Sequence, residues 1–125
     1  MTITALDAAA LAARGANLLD EEYPGWADRI DLDRLNLSLA DRCVLGQLYA
    51  GVDDYRYGYY AALDRFWPEG RAYAKARAVT YGFTVAEPEG EWTDEETSVI
   101  SAKFDLLEAE WRTLIAARRT PSYEG

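Results

Sequence analysis

The chain has 125 residues, half of them hydrophobic, enough to bury a core as one domain and too apolar for intrinsic disorder. Its 13 basic and 22 acidic residues leave a net charge of −9, spread over both halves of the sequence, so the surface as a whole should repel nucleic acid and anionic membrane and attract basic partners. One cysteine and no histidine exclude an internal disulfide, Ser-His-Asp and Cys-His catalysis and histidine-based zinc sites, so any metal would be a hard ion on carboxylates.

In chain order, Thr4 and Asp7 have the spacing of a capping box for a helix predicted to run to about Tyr23. Ala8, Leu11, Ala12, Gly15, Leu18 and Leu19 form one mostly small face, which predicts close approach to another helix with Gly15 at the crossing. Glu21 and Glu22 fall at its C-terminal end, where solvation is the ordinary fate of acids. Pro24-Gly25 stops the helix, and Trp26 should anchor in the core with its indole N–H on a carbonyl. From Ile30 to Leu39 the apolar residues alternate without a second strand to pair with. This predicts a connector whose leucines plug into a helical core. Asp31, Asp33 and Asp41 lack the glycine and terminal glutamate of a calcium loop.

Ser38 and Asp41 suggest a second capping box and a short helix to about Tyr49, with Ala40, Cys43, Val44, Gln47 and Leu48 inward. Cys43 has no neighbouring base and reads as a small buried hydrophobe. Gln47 needs a hydrogen-bond partner such as a loop carbonyl. The next helix is predicted from Tyr55 to about Trp67. Its spacing buries Tyr55, Tyr59 and Phe66 and leaves Tyr57, Tyr60 and Trp67 pointing elsewhere, as surplus aromatics suited to an interface. Glu69 to Tyr81 should form a locally basic helix with Arg71, Lys75 and Arg77, closed by Gly82. The acidic run from Glu87 to Glu96 surrounds Trp92. Thr93 and Glu96 explain its end as a capping box, but Glu87, Glu89 and Glu91 have no such explanation. The last helix should run from Asp94 to about Arg119 on a stripe of Ile100, Phe104, Leu107, Trp111 and Leu114, with residues 120–125 fraying.

Several of these stretches resemble a family of small proteins of unassigned role encoded by actinobacteriophages and actinobacterial prophages. They are Gly15-Ala16-Asn17-Leu18-Leu19-Asp20, Pro24-Gly25-Trp26-Ala27-Asp28-Arg29-Ile30-Asp31-Leu32 and Cys43-Val44-Leu45-Gly46-Gln47-Leu48-Tyr49. Val79-Thr80-Tyr81-Gly82-Phe83 and Trp111-Arg112-Thr113-Leu114-Ile115 are similar too. The resemblance carries no catalytic residues. It implies a phage accessory protein working in a bacterial cytoplasm, in keeping with the lack of an export signal or a long apolar run.

The expectation is therefore an all-α single compact domain spanning 1–125, of about five helices with a long C-terminal one. The leading function is a small acidic protein-binding module that inhibits a host or defence protein. Its partner would be a host or phage protein with a basic surface, held by Tyr57, Tyr60, Trp67, Glu87, Glu89, Glu91 and Trp92. No cofactor, metal ligand, membrane contact or direct nucleic-acid binding is expected. One alternative is a carboxylate mimic of nucleic acid occupying a DNA- or RNA-binding site. The other is a carboxylate-metal hydrolase on Glu21, Glu22, Asp31 and Asp33, which lacks the helical di-iron pattern.

Overall fold

Two helices from opposite ends of the chain form the frame. In the computed structural model, which describes residues 5–50, 58–85 and 93–119, α1 spans Ala5–Glu22 and α5 spans Asp94–Arg118. Thr93 caps α5: its hydroxyl accepts from the Glu96 N–H while the Glu96 carboxylate accepts from the Thr93 N–H, the reciprocal box expected there. The two helices run the same way, because Gly15 abuts Trp111 and, further along, Asp20 meets Arg118. Ala8, Ala12, Ala16 and Leu19 are the buried stripe of α1, with Leu11 and Leu18 only half-buried beside it. Such small side chains bring α5 close enough for the Trp111 ring to lie directly on Gly15, the predicted crossing. On α5 the buried positions are Ile100, Leu107, Trp111 and Ile115, while Phe104 and Leu114 flank them half-exposed. The head of the first predicted capping box, Thr4, lies outside the described residues.

After Pro24-Gly25 the chain makes a 3₁₀ turn, Trp26–Arg29, that buries Trp26 edge-on against Trp111 with ring centroids 5.7 Å apart. Its indole N–H donates to the Asp20 carboxylate at 2.9 Å rather than to the expected carbonyl. The connector follows, with Ile30, Leu35 and Leu37 buried, Leu32 half-buried and Leu39 exposed. The helix expected from Ser38 does not start there. The Ser38 hydroxyl turns back to Asn36 Oδ1 at 2.7 Å, and Asn36 N–H closes the loop on the Arg42 carbonyl. Side chains of this kind offer the backbone an alternative to helix. The helix, α2, is only Val44–Leu48, and Cys43 is its cap, its Sγ accepting from the Gly46 N–H at 3.2 Å. Leu45 joins Cys43, Val44 and Leu48 inside, and Ala40 stays half-buried. Gln47 meets its expected loop partners: it donates to the Asp31 and Arg42 carbonyls and accepts from the Asp31 N–H.

The remaining helices are α3, Gly58–Phe66, and α4, Arg71–Thr80. Tyr55 and Tyr57 lie outside the described residues. Trp67, expected to point away from the core, is buried instead. It follows the last residue of α3, and Pro68 turns the chain so that its ring stacks on Tyr81 at 5.7 Å and packs on Phe66 at 5.5 Å. Tyr59, expected inside, is half-buried. Past α4, Gly82 (φ 73°) turns where an added Cβ would strike the α1 backbone at Leu11 and Ala12. Its carbonyl accepts from Trp111 Nε1 at 2.6 Å, and Phe83 stacks on the same indole at 5.4 Å. Trp111 thus joins α1, the 3₁₀ turn and the end of α4. The fold is all-α, with five α-helices and no strand among the described residues. None of these helices is long and apolar enough to cross a membrane.

Candidate functional site

An open groove of about 1210 Å³ runs between the connector, α4 and α5. It exists because α4 packs on α3 and α1, whereas α5 packs on α1 and the 3₁₀ turn, so the inner faces of α4 and α5 stay apart. Ala74 and Ala78 turn into the core, which leaves Ala72, Lys75, Ala76 and Val79 along the α4 wall. The α5 wall is a helical stripe in which Ile100 and Phe104 alternate with Thr97, Ser101 and Asp105. Leu37 and Leu39 supply apolar surface from the connector, and Leu39 is 39% exposed.

Tyr60 lines this groove, as a binding residue should. Its ring meets Tyr59 edge-on at 5.2 Å, and the Arg71 guanidinium lies 5.0 Å from its centroid. Arg71 also pairs with Asp64 at 3.5 Å. The structure therefore holds Tyr60 half-buried against α4. Trp67 belongs to the core cluster described above and is not brought to the groove. Tyr57, Glu87, Glu89, Glu91 and Trp92 lie outside the described residues.

The connector is held in place by a pair that sequence reasoning missed. Arg112 donates to the Leu32 carbonyl at 2.9 Å and the Leu35 carbonyl at 3.1 Å. It also meets Glu108, four residues earlier on α5, at 3.2 Å, and Glu108 Oε1 accepts from the Leu37 N–H. The i,i+4 spacing of a Glu and an Arg is visible in the sequence. Their grip on a segment some eighty positions away is not. A second tie closes the other end: Arg118 embraces the Asp20 carboxylate at 3.0 and 3.1 Å. The Arg118 hydrogen bonds, with help from Trp26, hold the Asp20 carboxyl below the usual aspartate range.

Burial pushes the Cys43 thiol up to about 11, so it is protonated at neutral pH, and its sulfur is occupied as a helix cap. Among the described residues no three acids or thiols converge as a metal cage would require, and Glu21, Glu22, Asp31 and Asp33 form no such group. Leu39, Lys75 and Asp105 are groove residues that sequence reasoning did not select. The alternation of the connector points Leu39 to the core, and the sequence marks Lys75 only as part of a basic helix and Asp105 not at all until the helices are placed. Comparison of the chain with family models, with curated proteins and with solved structures finds no match.

Proposed function

We propose that this is a small acidic protein-binding module, a phage accessory protein that acts inside a bacterial cell by occupying a host or defence protein with a basic surface. The observation that carries the reading is the groove itself, with Tyr60 and the exposed Leu39 in its lining. Tyrosine and large aliphatic side chains around a partly apolar depression are the composition of a binding surface, and a central aromatic commonly contributes about 2 kcal/mol or more. The net charge of −9 would speed encounter with a basic partner while adding little to affinity. The resemblance to phage proteins supplies the cellular setting.

The test is photo-crosslinking. A photoreactive residue at position 39 should capture a discrete partner in host cells, and the same residue at Asn17, on the far end of α1, should not. The captured protein, purified, should bind the wild-type chain reversibly. Tyr60→Ala should weaken that complex through faster dissociation with the melting temperature little changed, and Glu89→Lys should mainly slow association at low salt. If Tyr60→Ala lowers the melting temperature by several degrees and leaves affinity unchanged, Tyr60 is a packing residue and this reading of the groove fails.

A further inference from the structure

The groove has two helical walls of opposite charge that do not meet. Lys75 stands on α4 and Asp105 on α5, and neither has an ion-pair partner among the described residues. The third charge of the lining, Glu108, is already committed to Arg112 and the Leu37 N–H. An acidic chain thus places a cation on one side of this groove and an anion on the other, each unpaired among the described residues.

The geometry points to an amphipathic α-helix of a partner protein as the occupant of this groove, apolar stripe inward, basic flank over α5 and acidic flank over α4. This rests on the protein-binding reading above and names the kind of segment bound. Three observations select a helix. The α5 wall from Thr97 to Glu108 extends about 16 Å, three turns of helix. Ala72 and Ala76 line the opposite wall with side chains small enough for a neighbouring helix to approach at about 8–10 Å. An extended peptide would leave backbone N–H and C=O groups without partners, because the described residues offer no strand edge, whereas a helix satisfies its own. A small molecule is the poorer fit, since so open a groove would leave much of its surface in water.

The opposed charges also set the direction of the bound helix. Turning an amphipathic helix end for end while keeping its stripe inward exchanges its flanks. Only one direction then places basic residues over Asp105 and acidic residues over Lys75. Reversing both walls should reverse the helix without releasing it, and reversing one wall should weaken it.

The probes are synthetic helical peptides with a leucine stripe, the first two of one composition. In one, lysines occupy one flank and glutamates the other; in the second, both flanks are mixed; a third peptide carries lysine on both flanks. The split peptide should bind the wild-type chain about two- to five-fold tighter than the mixed one at low salt, as expected for an exposed ion pair on each side. The difference should vanish near 1 M salt. Lys75→Glu should shift preference to the all-lysine peptide, and adding Asp105→Lys should restore the split peptide. Leu39→Glu should weaken every peptide.

Equal affinity of split and mixed peptides, with both weakened by Leu39→Glu, would overturn the charge assignment while leaving a binding groove. Peptide binding indifferent to Leu39→Glu would overturn the location. No binding of any peptide at millimolar concentration, together with no partner captured at position 39, would remove the protein-binding reading as well. Self-association abolished by Lys75→Glu would make the occupant a second copy and refute the partner helix.

Discussion

Replacing Gly15 by alanine sets two magnitudes against each other. In an exposed helix this change stabilises by about 0.8–1 kcal/mol, because glycine is the more disordered residue when unfolded. Here the new Cβ would lie 2.7 and 2.9 Å from two ring carbons of Trp111 and against the Tyr81 carbonyl. The indole has little freedom to retreat: it is fully buried, bonded through Nε1 to the Gly82 carbonyl, stacked on Phe83 and met edge-on by Trp26. Overpacking a filled core costs about 1–3 kcal/mol, and a backbone wall on one side favours the upper end. Net destabilisation of about 1–2 kcal/mol is therefore expected, or a fall of roughly 4–10 °C in melting temperature for a domain of this size. Urea denaturation followed by circular dichroism reads the free energy, and near-ultraviolet signals report the indole environment. A Gly15→Ala protein that is more stable than wild type, with unchanged near-ultraviolet signal, would mean that α1 and α5 do not cross at Gly15.

Trp26→Ala should cost about 3–5 kcal/mol in the same assay, as buried aromatic truncations do, and a value near zero would place Trp26 outside the core. The Asp20 carboxyl titrates below its ordinary range, so its stabilisation is complete above the unfolded aspartate pKa and is lost as pH falls through the lower folded value. Acid titrations of wild type and Asp20→Asn should therefore converge at low pH and separate toward neutrality, and a gap that is constant with pH would refute the linkage. With its thiol pushed up to about 11, Cys43 should react with a disulfide reagent slowly when folded and rapidly in denaturant, whereas rapid labelling of the native chain would show it accessible.

What could be read in advance was whatever depends on spacing along one helix. The Thr93–Glu96 box appears where its spacing puts it, and the α1 and α5 stripes do so in part. Ala8, Ala12, Leu19, Ile100, Leu107 and Trp111 are buried, while Leu11, Leu18, Phe104 and Leu114 only flank them and Ala16 and Ile115 take inward places that the expected faces left out. The errors sit where side chains compete or where the chain leaves a helix. Ser38 has the right neighbours for a cap, yet Asn36 engages its hydroxyl and Cys43 takes over as the cap. Trp67 lies one residue past the end of α3, where a helical wheel that points it outward no longer applies. The groove was least legible of all. Tyr60 could be singled out as a surplus aromatic, but Lys75 and Asp105 become a pair of walls only after α4 and α5 have been placed by contacts elsewhere.

The hold that Arg112 keeps on the Leu32 and Leu35 carbonyls spans 80 and 77 positions, and Arg118 reaches Asp20 across 98. Every one of these ties comes from α5, which leaves the ribosome after the segments it holds. During synthesis, α1 emerges with its alanine face bare and the connector with its leucines loose, and neither can be completed until α5 is released. Contacts of such long separation also slow folding, because the chain must close large loops before they form. Until α5 is released, the nascent chain therefore carries an exposed apolar helix face and an unshaped groove. A stop codon before Arg112 should yield a product that chaperones and proteases treat as unfolded, not a smaller version of the same domain.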